Sequence, residues 1–359
     1  MDALEQARAE IDTVDAQLAA LFERRMAAVL QVAEYKRAHG LPIYDAAREA
    51  AVLEKAAARI QQLALRPYYK DHVQHMMDIA KQYEAAVLGR NRAAYQGVEG
   101  AFAHIALKAL FPHAEAVSYS TWDEVFEAVA SGEAAHGVVP FENSHAGDVS
   151  AVLDLCYNHP ELWVVDVYDL PISQNLLVLP GTQLAEIRSV YSHQQAIAQS
   201  ETFLKQFHLP ATAMLNTAMA AKMVAEKGDR HAAAISSHPC AALYGLTCLN
   251  DSIQDSDNNY TRFICITKDP VIYAGANRIN LIIAFDNRPG ALYEILSKLA
   301  ALDINMTKLE SCPVAGSDFE FVFFLELDAS VQDPSVLAML EEMERSCAEF
   351  QFLGNYAEV

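Results

Sequence analysis

The sequence predicts a multidomain chain: an all-α region, then a doubly wound α/β region in two lobes, then an α+β tail. Three observations predict this order. Residues 4–39 carry a helical pattern without Gly or Pro, strand and helix patterns alternate from about residue 93, and residues 278–359 read as βαββαβ. A length of 359 residues and a hydrophobic content of 52% suffice for two or three cores.

Composition argues against several classes of partner. The 26 basic and 47 acidic side chains give a net charge of −21, which disfavours nucleic acid and anionic membranes. The start, MDALEQARAE, lacks the features of a signal peptide, and no apolar run is long enough to span a bilayer, so we expect a soluble cytoplasmic protein. The six cysteines show no metal-ligand spacing and the glycine-rich nucleotide fingerprints are missing, so we expect buried free thiols, no metal and no cofactor.

The all-α region covers residues 1–88. One helix is expected from residue 4 to about 39, where Gly40 follows, a second from residue 45 or 46, and a third over 67–88 with Pro67 in its first turn. Three helices, one of them about 50 Å long, cannot bury their own apolar faces. We therefore expect an intertwined dimer.

Charged side chains stand where the helical patterns require apolar ones. The stripe of the first helix runs Leu4, Ile11, Leu18 and then Arg25. Lys36 lies within about 20° of Arg25 around the axis and roughly 16 Å further along it, which leaves a gap suited to a small dianion. The inner stripe of the third helix also contains an anomaly, because Glu84 interrupts Val73, Met77, Ala80 and Val87.

Asp45, Arg48 and Glu49 are three and four residues apart, so their side chains share one helical face. A solvated salt bridge is the simplest explanation of this spacing in isolation. The nearby anomalies at Arg25 and Lys36 favour a pocket wall instead.

Four stretches between residues 8 and 49 form a recognisable set: R-x-x-I-D-x-V-D, Arg25, V-A-E-Y-K and G-x-P-I-Y-D-x-x-R-E. They resemble the all-helical chorismate mutases over the whole of residues 1–88. The resemblance implies a unimolecular rearrangement of chorismate to prephenate, in which arginines clamp two carboxylates while other groups stabilise charge on the breaking ether oxygen. It implies that Lys36 meets this oxygen and Glu49 the substrate hydroxyl, and the remaining residues implied are Arg25 and Arg48 on the carboxylates, Arg8 from the partner subunit, and Asp45 in the pocket wall.

Glu84 falls where some members of that family have Gln and others Glu. An ionised carboxylate cannot donate a hydrogen bond, so our hypothesis is that Glu84 is catalytic only when protonated.

Residues 93–268 read as strands near 93–97, 136–141, 162–179, 189–192, 232–236 and 262–267, with helices at about 101–111, 121–131, 194–207 and 217–227. Ligands of doubly wound sheets bind beyond the carboxyl ends of the strands. Four polar stretches lie there: Q-G-V-E-G-A-F-A-H (96–104), V-P-F-E-N-S (139–144), Y-S-H-Q-Q-A-I-A-Q (191–199) and N-N-Y-T-R-F (258–263). We expect the first three to lead into helices whose N-termini hold carboxylates.

Together and in this order, the four stretches resemble prephenate dehydratase. That family expels the ring hydroxyl and CO2 from prephenate in one aromatising step, giving phenylpyruvate. The resemblance makes Thr261 the catalytic residue that faces the leaving hydroxyl, and the other residues that it places in the site are Glu142, Asn143, Ser144, Ser192, Gln195, Gln199, Asn216 and Thr217. Arg262 fits a carboxylate ligand or a structural ion pair and is not assigned, and neither His104 nor His193 is assigned a role in catalysis.

Two positions depart from the dehydratase pattern. Ala103 stands where the family usually has a hydroxyl, and Gln194 stands where S-H-P-Q is common. The loss of one hydroxyl is expected to weaken substrate binding by about 1 kcal/mol without removing the chemistry.

The tail, residues 278–359, is expected to contain strands at 278–285, 304–309, 319–327 and 349–353 and helices at 290–302 and 334–347, an order that predicts a ferredoxin-like sandwich. R-P-G-A-L-Y-E-I-L (288–296) and I-N-M-T-K-L-E-S-C-P (304–313) resemble the ACT regulatory domain of the same enzymes, in which phenylalanine binds between paired domains. Gly290, Ala291 and Leu292 would let the ligand approach the backbone, Asn305 would meet its polar end, and the allosteric set is completed by Glu310 and Ser311.

Cys312 breaks that pattern, because relatives read E-S-R-P where this chain has E-S-C-P. A thiol cannot replace the five N–H donors of a guanidinium, so we expect weaker or altered feedback by phenylalanine. Compensation by another side chain is the alternative.

These resemblances predict a bifunctional enzyme of phenylalanine biosynthesis, an isomerase and a lyase, that acts on chorismate and prephenate, responds to phenylalanine and assembles as a homodimer or higher homo-oligomer. Two other hypotheses remain. One is a small-anion sensor without catalysis, and the other is a mutase fused to prephenate dehydrogenase, which the missing dinucleotide fingerprint disfavours.

Overall fold

The computed structural model describes residues 3–39, 46–87, 91–145, 147–273, 275–285, 288–313 and 321–358. The chain divides into two compact units, residues 1–91 and residues 92–359.

The first unit contains three helices: α1 (Ala3–His39), α2 (Ala46–Arg59) and α3 (Arg66–Val87). The three predicted helices are therefore confirmed, and each predicted start or end is within a residue or two of the observed one; no end was predicted for the second helix. The inner stripe of α3 is buried as predicted at Val73, Met77, Ala80 and Glu84. The stripe was wrong at Val87, which is 50% exposed because α3 ends there.

Helix α1 leaves much of its apolar surface uncovered within this chain. Leu4, Ile11, Leu18 and Leu21 are all at least half exposed. Exposed apolar side chains along one helix are typical of surfaces at which proteins make further contacts.

The second unit begins with two strands and two helices, β1 (Arg92–Gln96), α4 (Phe102–Leu110), β2 (Glu115–Tyr119) and α5 (Trp122–Ala130). The chain continues through β3 (His136–Asn143), β4 (Gly147–Asp148), α6 (Ser150–Asn158), β5 (Trp163–Pro171) and β6 (Asn175–Val178). It then forms β7 (Ser189–His193), α7 (Gln194–Ala198), α8 (Glu201–Gln206), β8 (Ala211–Met214), α9 (Thr217–Lys227), β9 (Ala232–Ser236), α10 (Pro239–Tyr244), β10 (Thr247–Asn250) and β11 (Tyr260–Thr267).

These strands form two sheets, as expected of two lobes. The first has the order β2-β1-β3-β11-β5, with β4 paired to β3, and the second has the order β10-β6-β9-β7-β8. Strands β1, β2 and β3 are parallel, whereas β11 runs antiparallel to both of its neighbours. The chain passes between the sheets twice, after β5 and after β10.

Two predicted elements were too long. The strand predicted over 162–179 is two strands, β5 and β6, which lie in different sheets because the chain leaves the first sheet after Pro171. The helix predicted over 194–207 is divided at residues 199–200 into α7 and α8, where Ser200 is fully buried.

The tail contains β12 (Arg278–Ala284), α11 (Ala291–Ala301), β13 (Asn305–Pro313), β14 (Phe321–Asp328), α12 (Pro334–Ser346) and β15 (Glu349–Tyr356). This is the predicted βαββαβ order. The four strands form one antiparallel sheet in the order β13-β14-β12-β15.

The tail sheet is buried on both faces. One face packs under α11 and α12 through Leu281, Leu325 and Met343. The other face shares a hydrophobic core with the first sheet, in which Phe324 contacts Phe141 with 5.1 Å between the ring centroids. The tail is therefore built into the second unit.

No helix in the described part of the chain is both long enough and apolar enough to cross a bilayer. All six cysteines are unpaired, with Cys156, Cys240, Cys265 and Cys312 buried and the other two half-buried.

Candidate active sites

The buried carboxyl group of the first unit is Glu84 on α3, which is 4% exposed. Its Oε1 has no hydrogen-bond partner among the described residues, and Lys36 Nζ of α1 lies 3.7 Å away, beyond hydrogen-bond length but close enough for charge attraction. Burial raises the pKa of Glu84, and the Lys36 ammonium offsets only part of this rise. The arrangement favours the protonated carboxyl that the sequence hypothesis requires.

Arg25 also turns towards α3, where its Nη1 donates to the backbone carbonyl of Met76 at 3.2 Å. Two of the three predicted cations of α1, Arg25 and Lys36, therefore contact the same neighbouring helix. Arg8 is exposed on α1 and Arg48 is exposed on α2. Asp45 and the side chain of Glu49 lie outside the described residues, so their predicted places in the pocket wall stay predictions.

In the second unit, the amide of Asn143 is the centre of a polar network between the two sheets. Its Nδ2 lies 2.9 Å from Thr261 Oγ1, 3.0 Å from the Tyr260 carbonyl and 3.1 Å from Asn259 Oδ1. Its Oδ1 accepts from Gln195 Nε2 at 3.1 Å. Strand pairing fixes this geometry, because Asn143 and Thr261 are directly opposite each other in the β3–β11 ladder.

An open cavity of about 290 Å³ adjoins this network, and its lining includes His145, Gln195, Gln199, Gln254, Asp255 and Asn259. Gln199 accepts from both Gln174 (3.2 Å) and Asn259 (3.0 Å). Sequence reasoning missed Gln174 and Gln254. They lie on the two passages between the sheets, and nothing in their local pattern marks them as polar lining.

Ser144 belongs to the same edge, since its Oγ donates to Asn258 O (3.1 Å) and accepts from Tyr260 N (3.0 Å). The expectation that residues 139–144 lead into a helix was wrong. A turn and the short strand β4 follow instead, and β4 pairs back on β3.

Two predicted site residues have structural partners, and a third lies next to one of them. The Ser192 hydroxyl is fully buried and donates to Ile235 O at 2.6 Å. Asn216 caps α9 by accepting from Met219 N at 2.7 Å, and Thr217 is the buried first residue of that helix. The start of α9 lies beside the turn at Gly97, where a Cβ atom would be 3.8 Å from Asn216 Nδ2. These residues form a second polar group, on the side of the second sheet.

Glu142 does not point towards the cavity. A register shift in the β3–β11 ladder leaves Phe141 as an extra residue, so Glu142 faces the tail and its Oε2 lies 2.8 Å from Lys308 Nζ. The bulge is the physical reason why we no longer assign Glu142 as a substrate ligand. Arg262, left open between two roles, is in an ion pair with Asp169.

Two histidines of the predicted polar stretches favour the neutral form. Burial lowers the pKa of both His104 and His193. His193 accepts from Gln195 N at the start of α7, and His104 accepts from Gly100 N. Both act as hydrogen-bond acceptors within the fold.

The predicted effector residues of the tail lie at two ends of its sheet. Gly290, with φ of +89°, Ala291 and Leu292 begin α11 just after β12 ends. Glu310 and Ser311 are level with this end, since their β14 partners also pair with Ile282 and Ile283. Asn305 pairs with Asp328, opposite Arg278 at the start of β12, and so lies at the far end.

A separate surface cluster joins His238, Cys248 and Asp251, whose potential metal-ligand atoms all lie within 4.8 Å of one another. Sequence spacing did not indicate it. The carboxylate of Asp251 accepts from the Cys248 thiol at 3.0 Å and lies 3.1 Å from His238 Nδ1. These hydrogen bonds account for the cluster, and we assign no metal to it.

Comparison with known proteins places both regions in described families. Residues 7–99 match chorismate mutase type II, and residues 93–271 match prephenate dehydratase. The bifunctional chorismate mutase/prephenate dehydratase of Stutzerimonas stutzeri is 31% identical over 364 residues, which cover 99% of this chain and 98% of that protein. The chloroplastic arogenate dehydratase/prephenate dehydratase 2 of Arabidopsis thaliana is 34% identical over 279 residues, 74% of this chain and 73% of that protein.

Among solved structures, the prephenate dehydratase of Arthrobacter aurescens in complex with L-Phe is similar to the second unit. The TM-score is 0.69 at 28% identity, and the match covers 74% of this chain and 90% of that one.

Proposed function

Because this chain belongs to the bifunctional chorismate mutase/prephenate dehydratase family, we propose that its two compact units carry out the two successive reactions. The enzyme rearranges chorismate to prephenate and converts prephenate to phenylpyruvate, in phenylalanine biosynthesis and under the control of phenylalanine.

In the first unit, Lys36 and protonated Glu84 hold the ether oxygen whose bond to the ring breaks. The 3.7 Å separation between Lys36 Nζ and the buried carboxyl group of Glu84 supports this assignment. Charge that develops on the oxygen is stabilised by an ammonium and by an O–H donor in a site of low polarity. Arg25 and Arg48, with Arg8 from a second subunit, clamp the two carboxylates and hold the compact conformer.

In the second unit, Thr261 is the donor to the departing ring hydroxyl. An Asn143 N–H points at Thr261 Oγ1, so the hydroxyl of Thr261 is left to donate its own hydrogen elsewhere. As the C–O bond breaks, the electrons of the C–C bond to the ring carboxylate enter the ring and release CO2. The departing hydroxyl takes up one proton and leaves as water. The Asn143–Thr261 pair beside the cavity is the observation that carries this assignment.

We propose that the tail is a ferredoxin-like ACT domain that binds phenylalanine between two copies. Gly290 and Glu310 share one end of the sheet and Asn305 lies at the other. Asn305 can therefore join the other residues only from a second copy packed head to tail. The exposed apolar stripe of α1 also supports a homodimer. A cytoplasmic location stays a prediction.

The first test is to incubate the full-length protein with chorismate without any cofactor. Release of phenylpyruvate is expected, because neither step needs a cofactor. Binding of prephenate without turnover would favour the sensor alternative, and a requirement for NAD would favour a dehydrogenase.

The Thr261→Ala substitution tests the site assignment. Dehydration should collapse by about 100-fold or more while mutase turnover persists, because a positioned donor contributes on this scale. Thr261→Ser should keep most of the activity. The matched control is Thr267→Ala on the same strand. The Thr267 hydroxyl donates to Ala135 O over 3.0 Å and does not line the cavity. Dehydration by Thr261→Ala at a near-normal rate would refute the assignment.

A further inference from the structure

At the dehydratase site, the two faces of the β3–β11 ladder carry different pairs of side chains. Asn143 and Thr261 are one cross-strand pair, and Asn143 bonds to Gln195 and Asn259, which line the cavity. The adjacent pair, Glu142 and Arg262, faces the tail sheet, because successive residues of a strand alternate sides and the bulge at Phe141 brings Glu142 into line. The proposed catalytic pair therefore lies back to back with a charged pair.

The tail binds the first member of the charged pair through Lys308 on β13. Its Nζ lies 2.8 Å from Glu142 Oε2 and contacts Asp148, which is paired with Glu142 across the short β3–β4 hairpin. The ammonium also lies 5.1 Å from the centre of the Phe141 ring. The side chains of Lys308 and Asp148 are 13% and 15% exposed and that of Glu142 is 39% exposed, so water screens the contact with Asp148 less than the contact with Glu142.

The tail binds the second member through two carboxylates. Arg262 Nη1 lies 3.6 Å from Glu326 on β14, whose side chain is 5% exposed, and Nη2 contacts Glu358 just after β15. The guanidinium is also held by Asp169 of β5 at 2.8 and 2.9 Å. Glu326 is fixed in turn by Thr307 (2.7 Å) and the hydroxyl of Tyr356 (3.1 Å).

We propose that Lys308 and Glu326 are positioning residues for dehydration, which set the distance and orientation of Asn143 and Thr261 through the pair behind them. Neither residue touches the substrate. Removal of the Lys308 charge leaves two facing carboxylates, Glu142 on β3 and Asp148 on β4, in a half-buried site. Their repulsion pushes β4 away from β3 at the pair next to Asn143 and so disturbs the position of Asn143. The inference rests on the assignment of Thr261 as the donor, and it adds two residues from the tail to the machinery of dehydration.

The test is Lys308→Met in the full-length protein, which keeps the length of the side chain and removes its charge. Dehydratase kcat should fall by about tenfold, because small displacements of reacting groups cost rate steeply, while KM for prephenate changes less. Lys308→Arg should restore most of the loss. Mutase kcat, measured in the same samples, should not change.

A matched control is Lys298→Met, whose ion pair with Glu342 at 2.7 Å joins the two tail helices on the other face of the sheet. It should leave dehydratase kcat at the parental value. The double variant Lys308→Met/Glu142→Gln should recover part of the lost kcat, because the repulsion between carboxylates is then gone.

Three results would overturn the inference: a Lys308→Met dehydratase kcat within about twofold of the parent, an equal loss in Lys298→Met, or a loss fully explained by the fraction unfolded in a thermal melt. Thr261→Ala separates this failure from that of the site assignment. If Thr261→Ala is inactive and Lys308→Met is normal, the positioning role is wrong. If Thr261→Ala is active, the site itself is misassigned.

Discussion

Glu84→Gln should convert a pH-dependent mutase into one that works at neutral and alkaline pH. Glu84 is 4% exposed, and burial raises the pKa of its carboxyl more than Lys36 at 3.7 Å lowers it. Only the protonated form donates to the ether oxygen. Mutase kcat/KM of the parent should therefore fall as the pH rises through this raised pKa, by about tenfold per pH unit, because a single proton is lost.

A glutamine amide donates at every pH, so the variant should lack this descending limb. The ratio of variant to parent kcat/KM should climb by about tenfold for each pH unit above the pKa of Glu84. The assay follows chorismate consumption from about pH 5 to about pH 9, which starts above the ordinary pKa of a glutamate carboxyl and extends upward, the direction in which burial moves it. Dehydration of added prephenate by the same samples controls for loss of protein.

The folding stability contributed by Glu84 should also decrease as the pH rises. The folded state binds the Glu84 proton more tightly than the unfolded state, so this contribution is complete below the unfolded pKa and is lost as the pH rises through the folded pKa. The melting temperature of Glu84→Gln should depend less on pH in that range. Parallel pH–rate profiles for variant and parent would refute the protonated-donor role.

Two further substitutions test the tail. Cys312→Arg introduces a guanidinium beside Asp154, in a site where the parent has a buried thiol and a cavity of about 50 Å³. Titration of the dehydratase rate with phenylalanine should give a smaller inhibition constant for this variant than for the parent. Equal constants would contradict a role for the missing arginine. Gly354→Ala places a Cβ atom 2.9 Å from the carbonyl carbon of Val164 and overlapping its oxygen, so β15 and β5 must separate. We expect the unfolding free energy of the second unit to fall by about 1–3 kcal/mol, measured by denaturant titration, while mutase turnover is retained. An unchanged denaturation midpoint would contradict the close contact.

The helices of the first unit could be predicted almost completely from the sequence, because long helices have a strong hydrophobic period and clear ends. Gly40 and Pro67 bound α1 and α3 closely. Glu84 was identifiable as a buried charge from its place in the stripe alone. Its distance to Lys36 was not, since that depends on how two helices cross.

The two-lobed region was harder to predict, because periodicity does not show which sheet a strand joins. The pattern over residues 162–179 predicts one strand, although Pro171 and the polar residues after it take the chain into the second sheet. The short strand Ala211–Met214 was missed, since alanines give a weak strand signal.

The side of the ladder that a residue faces also escaped prediction. Asn143 was expected in the site, and the structure places it beside Thr261. Glu142 was expected there too, but one extra residue at Phe141 turned it towards Lys308. A bulge is a property of two paired strands, so it cannot be predicted from the sequence of either strand alone.

The tail shares its hydrophobic core with the catalytic lobe, and this limits how the enzyme can escape control. A premature stop before residue 278 would strip the cover from Phe141, Ile264 and Val164, which now pack against Phe324, Leu353 and Tyr356. The expected product is an aggregating protein and not an unregulated one. Strains selected to overproduce phenylalanine should therefore carry missense changes in the tail rather than deletions of it.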